Sequence, residues 1–282
     1  MITRETSMDW ARQSRPGIDY VKTHWGDLRI RQEGKGQKVI VFIPDAPAII
    51  EHHDDVFAAR PEEFTFLSIE PIGTGFSLPD ERFDFSFEQF SDSLLAVINA
   101  RTSSPVTVAA GCCNGYFSLM MAAKAPEKFE QFLIWQTAGW EQNRYFLDTW
   151  IDPKQQLRGP EGAAGYSAAK YAATKWWFEI SGGPQANDRE MTKTAHHAYD
   201  HGGCHCLAEL VQSSLAVPTP EFKKISVPTT ILWCGADPTH AKSTPESLLP
   251  YLPDSPIIRW EDAGHMPDLE FPERLVELIG SL

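Results

Sequence analysis

No run in this chain approaches the roughly 18 consecutive apolar residues of a membrane-spanning helix, and the opening Met1-Ile2-Thr3-Arg4-Glu5-Thr6 lacks the apolar core of a secretory leader. A soluble protein of the cytoplasm, with no membrane partner, is the expectation. Cations are scarce too: 25 Lys and Arg stand against 38 Asp and Glu, a formal charge of −13, and no basic cluster offers itself to phosphates. A nucleic-acid partner is therefore not expected. The five cysteines, an odd number with two adjacent, make no disulfide framework for 282 residues and suit a reducing compartment. Internal repeats, low-complexity tracts, a phosphate-cradling glycine loop and a nicotinamide fingerprint are all missing. No cofactor is expected.

What is present is 42% hydrophobic residues, ample for one large core, arranged as short apolar runs separated by helical stretches. Runs from Tyr20 to Trp25 and Leu28 to Gln32 flank Gly26-Asp27 as in a hairpin. Continuous apolar runs at 38–43 and 64–69 read as strands buried on both faces, with a helix near 49–60 between them. An amphipathic helix at 87–100 and strands at 132–135, 230–233 and 256–258 continue an alternation that calls for parallel crossovers and a three-layer α/β architecture. Residues 1 to about 17 show no periodicity and are expected to be loosely attached. From 138 to 226 the rhythm breaks into helical patches rich in aromatics, among them Trp140, Trp150, Trp176 and Trp177.

The stretch that organises the chain is 106–117, V-T-V-A-A-G-C-C-N-G-Y-F, which reads as strand, sharp turn and helix. A turn this tight strains its central residue and crowds the residues two before and two after it, which must be very small. Cys113 alone has glycine in both places, so it is the expected nucleophile, with Cys112 a packed thiol. The motif resembles the G-x-nucleophile-x-G elbow of the α/β-hydrolase superfamily, with cysteine where serine is commoner. The resemblance continues in chain order through Cys234-Gly235-Ala236-Asp237-Pro238 and Ala263-Gly264-His265-Met266-Pro267.

It implies an α/β-hydrolase fold: a mostly parallel central sheet flanked by helices, formed by residues 1–137 and 227–282, with a helical cap inserted at 138–226. It implies a triad of Cys113, Asp237 and His265, in which the helix N-terminus and the histidine favour the thiolate. Gln136 and Thr137 fill the place where some relatives carry the acid, and Asp262 and Asp268 are the fallbacks. Pro44-Asp45-Ala46-Pro47 stands where relatives carry H-G-x-P, which makes the backbone N–H groups of Ala46 and Asn114 the oxyanion donors. Asp45 is either a helix cap or a contact to a substrate cation or hydroxyl, and Trp140, Trp176 and Trp177 are expected around the substrate. Glu70 to Ser77 resembles the family's structural D-x-x-G-x-G-x-S loop, with Glu for Asp.

The implied activity is cofactor-free hydrolysis of an ester, thioester or lactone, on a small-molecule acyl substrate that is free or carrier-bound. Acyl transfer or cyclisation onto another nucleophile, a lyase reaction, and a low-turnover ligand receptor remain open, because the fold does not fix the reaction. Metal binding is not expected: His201-Gly202-Gly203-Cys204-His205-Cys206 crowds ligand-type residues into one segment without a second pair at finger spacing. His52-His53-Asp54-Asp55 reads as a solvated helix face.

Overall fold

The computed structural model describes residues 2–148, 159–216 and 225–282, so Trp150 lies outside the described residues. Helix α1 (Arg4–Arg12) precedes strands β1 (Ile18–Lys22), β2 (Gly26–Glu33) and β3 (Lys38–Ile43). A 3₁₀ turn (Ile50–His53) runs into α2 (Asp54–Ala58), followed by β4 (Phe64–Ile69), β5 (Leu78–Pro79), α3 (Phe87–Arg101), β6 (Val106–Gly111), α4 (Cys113–Lys124) and β7 (Phe129–Trp135). Next among the described residues come helices α5 (Trp140–Phe146), α6 (Gly159–Ala168), α7 (Lys170–Ser181), α8 (Asp188–Asp200) and α9 (Leu207–Ala216), and then β8 (Thr229–Cys234), β9 (Ile257–Trp260), α10 (Pro267–Glu270) and α11 (Pro272–Ser281).

The strands form one sheet in the order β1-β2-β4-β3-β6-β7-β8-β9, with β5 against β2. The β1–β2 hairpin and the β2–β4 pair are antiparallel, and every pairing from β4 to β9 is parallel. The expected α/β architecture is thus present, and its strands are apolar on both faces because helices cover both. In β3, Val41 and Ile43 point into the cluster under α3 and α4, while Ile40 and Phe42 point into the one under α11. The helices between β7 and β8 carry a core of their own, built from Phe146, Tyr166, Trp177, Phe178, Met191 and Tyr199. Among the described residues no helix is long and apolar enough to cross a membrane.

Two expectations change. The N-terminal segment is docked: Ala11 is fully buried, and Arg15 grips Asp54 at 2.7 Å. The supposed solvated face at 52–55 is not solvated at His53, which is buried with its Nε2 and Nδ1 meeting Asp268 and Ser68, each at 3.0 Å, while Asp55 is exposed.

Docking of α1 depends on a buried ionic knot. Arg29, wholly inaccessible, donates to Glu51, to Glu70 at 3.4 Å, to the Ala11 carbonyl at 3.2 Å and to Ser14 at 2.5 Å. Glu70 in turn accepts the backbone N–H of Ile50 at 3.2 Å and of Phe76 at 2.6 Å, so one guanidinium ties α1, the 3₁₀ turn and the 70–77 loop together. Burial works against the Glu51 charge, but Arg29 outweighs it and holds that carboxyl at about 2; burial pushes Glu70 up, to about 7. Arg29→Met leaves two carboxylates buried without a cation, and chemical denaturation should show a loss of about 3–5 kcal/mol, whereas a loss below about 1 kcal/mol would mean the knot is dispensable.

Candidate active site

The backbone at the end of β6 shifts the expected register by one residue. Cys112 has φ 51° and ψ −124°, a conformation that non-glycine residues adopt only when their surroundings hold them there, and Cys113 is the first residue of α4. The surroundings are in place: the Cys112 N–H donates to the Trp135 carbonyl at 2.9 Å, and its own carbonyl accepts the Thr137 hydroxyl at 3.0 Å. The central residue of the turn is therefore Cys112 and not Cys113. The residues two before and two after it are Ala110 and Asn114. The glycines that pointed to Cys113 answer another constraint, the close approach of the end of β7. A Cβ on Gly111 would lie 2.1 Å from the Trp135 indole nitrogen, and one on Gly115 would lie 2.0 Å from the Thr137 hydroxyl.

The loops after β8 and β9 bring Asp237 and His265 together. His265 Nδ1 donates to Asp237 Oδ2 at 2.8 Å, with both side chains buried. Asp237 accepts three further bonds, from the Thr239 N–H at 2.8 Å, the Thr239 hydroxyl at 2.6 Å and Gln136 Nε2 at 2.6 Å. Burial would raise its pKa, but the His265 charge and these donors outweigh that and hold the carboxyl below the usual range. Gln136, noted in the sequence only for filling another acid's place, is the residue that orients Asp237. The fallback acids are engaged elsewhere, Asp268 with His53 and Asp262 with Arg274 at 2.9 Å.

The other side of the His265 ring faces a second carboxylate. Asp45 Oδ2 is 3.3 Å from Nε2, without the alignment of a hydrogen bond, and it caps no helix, so the capping alternative does not hold. Burial alone would lower the His265 pKa; Asp237, then Asp45, more than reverse this and raise it well above the ordinary imidazole value. Asp45 itself is pushed up by burial, an effect only partly offset by His265. The Cys112 thiol is raised as well, first by the neighbouring Cys113 thiol, then by burial and by Asp45, with His265 the opposing influence. The surroundings of Cys112 thus favour its thiol form.

The donors around the turn change with the register. Cys113, opening α4, presents one of the backbone N–H groups that a helix N-terminus leaves unpaired, and it lines a small cavity with Ala46, Asp45 and Cys112. Asn114, whose backbone N–H was the expected donor, is also engaged through its side chain. Its amide reaches the carbonyls of Ile43 at 3.3 Å and Pro44 at 3.1 Å and ties the turn to the loop carrying Asp45 and Ala46.

That cavity, about 30 Å³, is roofed by Asn143, Phe146, Leu147, Trp177, Leu207, Leu210 and Val211 from the helices between β7 and β8. Trp177 also sets its edge on His265 at 5.5 Å. The other two expected tryptophans are elsewhere. Trp140 packs against Phe87 and Tyr116 in the main core, and Trp176 sits beside Trp177, outside the lining. His240 was missed: its ring lies between Phe146 at 4.7 Å and His265 at 5.3 Å, and burial lowers its pKa to about 4. A larger cavity of about 540 Å³, between α1 and α8, contains Trp10, Glu51 and His197 but none of the residues around Cys112. Within the 201–206 segment the side chains part: His201 stacks on Trp10 at 4.0 Å, whereas Cys206 lies against Thr74 and Ile72.

No family model matches the sequence, and no curated protein matches it. Solved structures do. A candidate epoxide hydrolase of Pseudomonas aeruginosa superimposes with a TM-score of 0.78 at 15% identity, covering 95% of this chain and 96% of the other. Est816, an N-acyl homoserine lactone degrading enzyme, gives 0.67 at 14% identity over 94% and 100% of the two chains. E-2-(acetamidomethylene)succinate hydrolase gives 0.67 at 15% identity over 94% and 97%. Identities this low establish the architecture alone: the chain has the α/β-hydrolase fold, as the motif order implied.

Proposed function

We propose that this protein is a cofactor-free hydrolase that opens an ester, thioester or lactone through an acyl-Cys112 intermediate. The observation that carries the proposal is Cys112 in the strained turn conformation with its sulfur within 4.8 Å of a ring nitrogen of His265, whose Nδ1 is held by Asp237. His265 Nε2 takes the thiol proton as sulfur attacks the carbonyl, and the Ala46 and Cys113 N–H groups receive the oxyanion. The imidazolium then protonates the leaving group, and water, deprotonated by the same nitrogen, releases the acid. That a known structure of the same fold degrades N-acyl homoserine lactones accords with this substrate class.

Residues 138–226 act in this reading as the cap, which parts to admit substrate, because a cavity of about 30 Å³ holds little more than a water molecule or two. Its apolar roof selects an apolar acyl group. The same closure favours a second reading, transfer of the acyl group to an amine, thiol or carbon nucleophile with water excluded. Product analysis with and without an added acceptor separates the two.

Asp45 acts as a brake. While its carboxylate faces Nε2, it favours the protonated ring and so slows removal of the Cys112 proton.

Intact-protein mass spectrometry with activated acyl esters should show one adduct, lost in Cys112→Ala and retained in Cys113→Ala; the reverse pattern would refute the assignment. Asp237→Asn should lower kcat/KM by about 10²–10⁴ in a folded protein, since the ring loses both its orientation and its charge partner. In Asp45→Asn the histidine loses a carboxylate that raises its pKa, so the acidic limb of the kcat/KM profile should move to lower pH. A limb that stays in place or moves upward would remove Asp45 from the proton path.

A further inference from the structure

Cys112 Sγ and a ring nitrogen from each of His240 and His265 lie within 4.8 Å of one another. Around this point, polar atoms are buried without partners: both ring nitrogens of His240, Nε2 of His265 and Oδ2 of Asp45 have no hydrogen bond, although each residue is at least nine-tenths buried. Desolvated donors and acceptors are rarely left unpaired, and several converging on one point call for a common partner. The triad reading uses His265 Nε2 but gives His240 nothing to do.

We propose that Cys112, His240 and His265 form a binding site for one zinc-type divalent cation, with Asp45 beside it against His265 Nε2. A thiolate and two neutral imidazoles are a ligand set suited to zinc, whose fourth tetrahedral position is left to the Asp45 carboxylate or a water, and unsuited to magnesium or calcium, which prefer all-oxygen shells. The cation offsets the negative charge that the Cys112 thiolate and the Asp45 carboxylate would otherwise bury. Asp237 on His265 Nδ1 completes the carboxylate–imidazole–metal arrangement that orients such ligands, leaving Nε2 for the ion. Binding displaces the thiol proton, and the Nε2 proton where present, to solvent, with no change of oxidation state. The ion takes the sulfur lone pair and the base nitrogen together, so it silences the hydrolase proposed above. That consequence rests on the hydrolase reading, whereas the binding does not.

Cobalt(II) is the probe. One equivalent added to the metal-free parent should give thiolate-to-cobalt charge-transfer absorption and intense tetrahedral d–d bands, both displaced by zinc. The charge-transfer band should persist in Cys113→Ala and vanish in Cys112→Ser. Cobalt affinity should fall about 10–100-fold in Asp237→Asn and at least as much in His240→Ala. No charge-transfer band in the parent, a band that survives Cys112→Ser, or affinity unchanged in His240→Ala would overturn the site. A cobalt band without any acyl-Cys112 adduct would uphold the metal site and refute the hydrolase; an adduct without the band would do the opposite.

Discussion

Everything at the site depends on the chain being held in an unfavourable conformation at Cys112. A β-carbon at positive φ crowds its own backbone, and such strain costs on the order of 1–3 kcal/mol, so it persists only where the neighbours over-determine it. Here the end of β7 clamps both peptide groups of the residue, the N–H through the Trp135 carbonyl and the C=O through the Thr137 hydroxyl. The result is a sulfur lifted clear of the sheet at the start of α4, where strands β3, β8 and β9 also end and where ligands collect in open α/β sheets. Asn114 makes the arrangement rigid in the other direction by fastening the same turn to the β3 loop.

On that scaffold the dominant electrostatic fact is a histidine between two carboxylates. Asp237 is satisfied four times over and stays ionised, whereas Asp45 is buried with one oxygen unpaired. The two carboxylates therefore play different parts although both contact one ring. The first orients the imidazole and favours its charge; the second stands against Nε2 on the other side of the ring. A thiol whose pKa its neighbours raise is less open to oxidation and alkylation.

A second buried charge system, Arg29 with Glu51 and Glu70, lies apart from this chemistry and has a mechanical role. It joins the first helix to the loop after β4. It also accounts for Glu where the motif resemblance called for Asp, since this carboxylate spans two backbone donors and a guanidinium at once.

The continuous apolar runs of β3 and β4, the Gly-rich turn after β6, and the order of the Asp237 and His265 loops were legible in the sequence, because burial on both faces and tight-turn chemistry mark a few consecutive residues. So was the likeness to the α/β-hydrolase fold. Which cysteine occupies the strained position was not legible, for Gly111 and Gly115 are small on account of Trp135 and Thr137, some 20 residues away in the chain. Nor could the sequence separate Trp177, on the histidine, from Trp140, in the core, since aromatic residues at helical spacing look alike until the helices pack. His240, the orienting role of Gln136, the burial of His53 and the placement of Asp45 against Nε2 were likewise decided by tertiary structure. Proximity and desolvation across distant segments change what an ionisable side chain can do, and neither is written into its sequence neighbours.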